Sequence, residues 1–301
     1  MRTITFDTYG DPSVLHQAVA ETPDPEPDQV RVATRRIGVN PFDIKLRSGA
    51  LAQFHPVDLP TVPGSEIAGV IDAIGTDVED LAIGDTVFGW SDTGGYADYA
   101  LATTVIRTPT AMTWERAASL PVAGEAALRA MRTLDLQRGN TLLIHGVAGN
   151  VGTIAAQIAI ARGITVVGTA RPAHHQALRK IGVTPESSGP GWIEAVKAAA
   201  PAGITAILDT AGAGFLPESI DLMRGPNHIV TLADPAAYEL GVTFAAGGPD
   251  DLTTDVLDEL STLSASLVFP DPRIFSLDDA AAAHTALQTG GFRGKTILTT
   301  E

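Results

Sequence analysis

The segment TLLIHGVAGNVGTIAAQIAIARG, residues 141–163, constrains the fold more than any other stretch. Five strand-forming residues, Thr141–His145, run straight into Gly146, Gly149 and Gly152, and a helical, Ala/Ile-rich run follows at once. The spacing G-x-x-G-x-x-G between a strand and a helix has a physical purpose. Glycine permits the tight turn, lets a ligand phosphate approach the backbone, and lets the helix pack closely on the strand. The helix N-terminus then offers free N–H groups and the positive end of its dipole. The loop predicts a dinucleotide site formed by Gly146, Ala148, Gly149, Asn150, Val151 and Gly152.

The surrounding pattern supplies a sheet for that loop. Beyond residue 112 strands alternate with helices. The strands expected are Thr141–His145, Ile164–Gly168, Ala206–Asp209, Ile229–Leu232 and Val242–Ala245, with helices at about 151–162, 173–181, 191–200 and 214–224. This alternation predicts βαβ units and a parallel sheet. Residues 1–110 read differently. Short strands at Thr3–Phe6, Gln29–Val39, Ile67–Ile74 and Thr86–Gly89 are separated by Gly and Pro turns, as in a small barrel or sandwich. A final helix and strand, starting near Ser276 and ending near Thr299, are too few to form their own core and are expected to rejoin the N-terminal domain.

The end of the second parallel strand selects the cofactor. About 20 residues after the first glycine, an NAD site places an acidic residue on the ribose diol. This chain has Thr169, Ala170 and Arg171 there, with His174 and His175 behind, and no Asp or Glu. A planar guanidinium suits a 2′-phosphate, which an acid would repel. Thr169 and Arg171 therefore point to NADPH. Leu232, at the carboxyl end of a later strand, falls where such a sheet meets its cofactor.

Charge and composition exclude several classes. With 20 Lys and Arg against 35 Asp and Glu, the net charge is −15. A surface that negative repels nucleic-acid phosphates and anionic membranes. No apolar run reaches transmembrane length, and a cytoplasmic location is expected. The absence of Cys removes disulfides, thiolate nucleophiles and Cys-ligated metals. No Tyr has a Lys four residues later, which excludes a Tyr-x-x-x-Lys dehydrogenase.

Taken together, the motifs resemble the medium-chain dehydrogenase/reductase superfamily, and within it the zinc-free NADPH:quinone oxidoreductase (zeta-crystallin-like) branch. The resemblance runs along nearly the whole chain: GVNPFDIKLRSG at 38–49, VPGSEIAGVIDAIG at 62–75, LAIGDTVFGW at 81–90, GGYADYA at 94–100, ASLPVAGEAALRAM at 118–131, the glycine loop, and FRGKTIL at 292–298. It implies an α/β fold. A GroES-like β-rich catalytic domain would take residues 1–112 and 270–301, and a Rossmann doubly wound parallel-sheet domain residues 113–269. It also implies a homodimer joined through the edge strand at 242–245.

The family's zinc-binding G-H-E motif reads Gly64-Ser65-Glu66 here, and the structural Cys lobe is missing. No metal is expected. Without a Lewis acid, alcohol oxidation is disfavoured, and hydride transfer to a quinone or an α,β-unsaturated carbonyl is the reaction implied. The resemblance places Asn40, Asp43 and Lys45 on the polar face of the catalytic site. Lys45 stands where some quinone reductases carry Tyr and many enone reductases Lys. Two readings of it are open: a ligand to the nicotinamide ribose, or a surface lysine paired with Asp43. Phe292, Gly294 and Lys295 match a segment that closes over the cofactor, Lys295 being either a phosphate ligand or a strand-edge lysine. Tyr96 is either a cleft residue or a packing residue. An enoyl reductase acting on acyl thioesters, and an NADPH-binding sensor or structural protein with little turnover, are the alternative functions.

Overall fold

The computed structural model describes all 301 residues and divides into two units. The first contains Met1–Val122, Leu252–Thr262 and Phe269–Glu301; the second contains Ala123–Asp251 and Leu263–Val268. Segment 113–122 and most of the 254–264 helix thus group with the β-rich unit.

The first unit begins with the strands β1 (Arg2–Thr5) and β2 (His16–Val19), which pair antiparallel. The strands β3 (Val30–Val39), β4 (Glu66–Ile74), β5 (Thr86–Trp90), β6 (Tyr99–Ala102) and β7 (Val105–Arg107) follow, with helix α1 (Pro41–Ser48) after β3. β3 and β4 pair antiparallel in register Gly38↔Glu66, with irregularities at Arg31/Val32 and Thr34/Arg36 that bend the sheet. The inward residues Val32, Ile37, Ile67, Ile71 and Val87 join Phe6 and Leu298 in one core. Each such aliphatic side chain contributes about 1.5–3 kcal/mol on burial.

The second unit is built on β8 (Thr141–His145), β9 (Thr165–Ala170), β10 (Thr184–Ser187), β11 (Ala206–Asp209), β12 (Ile229–Thr231) and β13 (Thr243–Phe244). All pair parallel, in the order β10-β9-β8-β11-β12-β13. Helices α2 (Trp114–Ala117) and α3 (Pro121–Leu134) precede the sheet. Its crossovers carry α4 (Asn150–Ala161), α5 (His175–Lys180), α6 (Trp192–Ala199), α7 (Leu216–Met223) and α8 (Ala237–Leu240), and α9 (Thr254–Ser264) follows. The doubly wound sheet expected from the alternation is present. Pattern reading gives no strand at β10, because TPES contains a proline and little apolar surface. An edge strand tolerates both, and Pro185 pairs with Gly168 there.

His145 is a buried polar strut of this unit. Its ring stacks on Phe215 at 4.6 Å and meets Trp192 edge-on at 4.9 Å. Nδ1 bonds Thr169 Oγ1 (3.0 Å) and Nε2 bonds Ser219 Oγ (3.1 Å), tying β8 to β9 and α7. Burial lowers its pKa to about 4 and keeps the ring neutral at ordinary pH.

The chain ends in β14 (Arg273–Ser276), α10 (Ala280–Thr289) and β15 (Thr296–Thr299). β15 pairs antiparallel with β3, Thr296 opposite Val39, so the C-terminus completes the sheet of the first unit.

Candidate active-site elements

The glycine loop has the geometry its sequence demands. Gly146 closes β8 with φ +76°, a conformation that disfavours any side chain. Gly149 donates its N–H to the Gly146 carbonyl at 2.9 Å. The first bond of α4 runs from the Thr153 N–H to the Gly149 carbonyl, and no side chain caps this end. The amides of Asn150, Val151 and Gly152 therefore precede the intrahelical ladder, where an anion can accept from them. A Cβ on Gly152 would lie 2.5 Å from the Gly146 carbonyl oxygen and 2.8 Å from Val147 Cα. Only a missing side chain lets the helix approach this closely. The cradle fits a dinucleotide diphosphate, with contacts from backbone rather than side chains.

Arg171 caps β9, is exposed, and has no ion pair; Ala148 and Leu232 are half-buried at the carboxyl edge of the sheet. Thr169 is a correction. It is 1% exposed and its hydroxyl bonds His145, so its side chain is unavailable to a cofactor. Asp209 turns inward as well, accepting from Ala211 N, Gly212 N and the Thr231 hydroxyl.

The first unit holds a separate polar cluster at the N-terminus of α1. β3 delivers Asn40 to the helix cap, Pro41 fixes the first turn, and Asp43 Oδ2 accepts the Asn40 N–H at 2.7 Å. Asn40 Nδ2 donates to Glu66 Oε1 (2.8 Å), and its Oδ1 accepts from Lys295 Nζ (2.6 Å). Lys295 also pairs directly with Glu66, whose other oxygen accepts from the Val122 N–H at 2.8 Å. Gly38 makes room for this: a Cβ there would overlap Glu66 Oε1.

Lys295 is the second correction. It is 3% exposed, and its ammonium is consumed by Glu66 and Asn40, so it is not a phosphate ligand. Glu66 is likewise committed, and no group of three His, Asp or Glu side chains comes together in a form that could hold a metal ion.

Asp43 is the third. Fully buried, it cannot touch a substrate. It caps α1 and receives a long contact from the Tyr96 hydroxyl (3.5 Å), which also meets His284 Nε2 at 2.9 Å. Burial pushes the Asp43 carboxyl up to about 7, opposed by the Asn40 N–H bond and by Lys295. Burial, with Arg47 nearby, lowers His284 to about 4. Tyr96 is thus a packing and hydrogen-bonding residue of the core.

Lys45 stands apart from this cluster. Two residues along a helix turn about 200°, so Asp43 faces inward and Lys45 outward. Lys45 is exposed and forms no ion pair, which removes the expected pairing with Asp43. Its partially exposed neighbour Phe42 meets His55 edge-on at 5.7 Å. Near the C-terminus, Phe292 is 37% exposed with the Arg273 guanidinium over its ring at 4.4 Å. Gly294 adopts φ +131° where a Cβ would strike the Asp271 carbonyl at 2.6 Å. The sequence reading missed the Lys295–Glu66–Asn40 network and the contact of His284 with Tyr96. The paired positions lie up to 255 residues apart, and no local motif links them.

Comparison with known proteins agrees with this architecture. Residues 26–110 match the alcohol dehydrogenase GroES-like domain. The quinone oxidoreductase of Mus musculus is 38% identical over 175 residues, 56% of this chain and 52% of the mouse protein; the chain spans about half the length of the curated relatives it matches. The structure of the quinone oxidoreductase from Coxiella burnetii superposes with a TM-score of 0.89 at 30% identity, covering 100% of this chain and 99% of that one. A mycobacterial protein solved in complex with NADPH gives a TM-score of 0.83 at 25% identity, covering 99% of this chain and 100% of that one. By its glycine loop, its Ser65 in place of a ligand histidine, and this full-length likeness, the chain belongs to the zinc-free quinone oxidoreductase branch of the medium-chain dehydrogenase/reductase superfamily.

Proposed function

We propose that the protein is an NADPH-dependent oxidoreductase that passes hydride to a quinone or an α,β-unsaturated carbonyl. The observation that carries this reading is the bare-backbone cradle at Gly146–Gly152, with Arg171 and no acid at the end of β9. The mycobacterial relative's NADPH complex and the quinone oxidoreductase names of the mouse and Coxiella proteins support it.

When bound, the dihydronicotinamide supplies the hydride. The chain's own residues position and stabilise. The amides of Asn150, Val151 and Gly152 donate to the diphosphate, and Arg171 receives the 2′-phosphate. The ribose hydroxyls are assigned to Lys45, which is exposed and unpaired. Asn40 retains one Nδ2 hydrogen beyond the bond to Glu66 and is held rigidly by Lys295. Asp43 is sealed from solvent, so the proton that completes the reduction comes from water.

A homodimer is part of the proposal. β13 leaves one edge of the parallel sheet unpaired, and Tyr238, 72% exposed, stacks on Phe244 beside it. Light scattering at micromolar concentration checks it. No helix is long and apolar enough to cross a membrane.

The test is NADPH oxidation by the purified protein with an ortho-quinone, a 2-alkenal and an enoyl thioester. Turnover with the quinone or the alkenal is expected. Turnover confined to the thioester, or tight NADPH binding with no turnover, contradicts the proposal.

A further inference from the structure

Helices α1 and α10 touch in the interior of the first unit, and four ionisable side chains are fully buried around that contact. Asp43 and Arg47 come from α1, His284 from α10, and Tyr96 from the segment between β5 and β6. Arg47 is tied on two sides, to the Gly10 carbonyl and to Gln288 Oε1 on α10. The Tyr96 hydroxyl is less committed. It has one proton and two acceptors within reach, His284 Nε2 at 2.9 Å and Asp43 Oδ2 at 3.5 Å. Asp43 Oδ1 and His284 Nδ1, the outer atoms of this row, have no hydrogen-bond partner.

The distances show which way the hydroxyl points. An ionised carboxylate would draw it to about 2.5–2.7 Å. At 3.5 Å it belongs to His284, as it does when Asp43 carries a proton. Charge balance gives the same answer. Glu66 on β4 and Lys295 on β15 face Asp43 but are already paired with each other, and Arg47 bonds Gly10 and Gln288 instead. An ionised Asp43 would be a second buried carboxylate without a counter-ion of its own. Burial and the nearby Arg47 keep His284 neutral, and Asp11, exposed, is the remaining charge near Arg47. A histidine's tautomer is ordinarily fixed by the bond its second nitrogen makes. The second nitrogen of His284 makes none, so its ring proton is free to follow Tyr96.

We propose that Asp43, Tyr96 and His284 form a proton-operated latch between α1 and α10. With Asp43 protonated, Tyr96 donates to His284 Nε2, and the imidazole carries its hydrogen on Nδ1. When Asp43 gives its proton to solvent, the Tyr96 hydroxyl turns to the carboxylate, and His284 donates from Nε2 to the Tyr96 oxygen. The cluster loses one proton in all, and the imidazole is neutral in both states. Asp43 Oδ2 also accepts the Asn40 N–H, so the change reaches the cap of α1. The latch is a property of the fold and stands apart from the proposed reaction.

Long-range proton–nitrogen correlation spectra of the histidine rings in the full chain test it. The titration runs from about pH 5 to about pH 9, across the raised Asp43 value of about 7 and above the His284 value of about 4. His284→Gln identifies the His284 signals among the seven histidines. In wild type the His284 proton is expected to pass from Nδ1 to Nε2 as pH rises, with a midpoint at about 7. Asp43→Asn, neutral at every pH, should hold the Nδ1–H tautomer throughout. Tyr96→Phe removes the shared hydroxyl and should leave a tautomer that no longer responds to pH. His145, with hydroxyl partners on both nitrogens, is the internal control and stays constant. A single His284 tautomer across the whole range in wild type overturns the proposal. So does a change that persists in Asp43→Asn, or an imidazole that becomes doubly protonated within the range.

Discussion

The two units solve the problem of holding polar groups in opposite ways. In the parallel-sheet unit the candidate phosphate cradle is made of backbone, and its key positions are the ones where side chains are absent: Gly146, Gly149 and Gly152. In the β-rich unit the candidate site rests on buried polar side chains, the ion pair of Glu66 and Lys295 and the amide of Asn40, with Asp43 beneath. The first design is rigid and insensitive to pH. The second depends on charge balance, and one substitution leaves an ion without its partner.

Breaking that balance gives the largest expected effect. Lys295→Met strands Glu66, at 0% exposure, without its counter-ion, and should cost about 3–5 kcal/mol of stability. Denaturant titration reads it, and adding Glu66→Gln should recover most of the loss. A single-variant loss below about 1 kcal/mol would mean that the pair contributes little, as a surface pair does.

Next is the backbone side of the comparison. Gly152→Ala forces a Cβ against the Gly146 carbonyl. It should lose about 1–3 kcal/mol through overpacking and bind NADPH more weakly as α4 is pushed back. Unchanged affinity by fluorescence titration would show that the close approach of helix and strand is not what the diphosphate needs.

The pH response separates the units further. The Asp43 carboxyl is raised to about 7 in the folded protein, so folding favours its protonated form. Its contribution is complete below the ordinary carboxylate range and is lost as pH rises through about 7. Asp43→Asn should therefore gain stability relative to wild type between pH 4 and pH 8, on the order of a few kcal/mol for so buried a group. His145 and His284, both lowered to about 4, act in the other direction, losing their contribution as pH falls from the usual histidine range toward 4. Thermal melts across this range check the sign; parallel curves for wild type and Asp43→Asn would contradict it.

The smallest stability effect belongs to Lys45. Exposed and unpaired, its replacement by Ala should change stability by no more than about 0.5 kcal/mol, while NADPH affinity falls several-fold if its ammonium holds the ribose. A Tm shift without an affinity change would reverse that assignment.

The same contrast explains what could be read from sequence. A cradle made of backbone announces itself, because glycine spacing between a strand and a helix is local and has few other uses. The alternation of 141–245 likewise exposes the doubly wound sheet. The charged network does not announce itself. Asn40, Glu66 and Lys295 are brought together by β3, β4 and β15, and only the strand pairing Thr296↔Val39 shows that Lys295 faces inward. Lys45 and Asp43 look equivalent in PFDIKLRS until the segment is known to be helical. Thr169 stands where a cofactor ligand is expected, but His145, 24 residues away in sequence, claims its hydroxyl.

The most direct test of the central claim is titration of NADPH and NADH into wild type and Arg171→Asp, followed by fluorescence. Wild type is expected to bind NADPH at least about tenfold more tightly than NADH, one charge-assisted bidentate contact's worth, and Arg171→Asp to abolish or invert the preference. Equal affinities in wild type, or a preference untouched by the substitution, would contradict it.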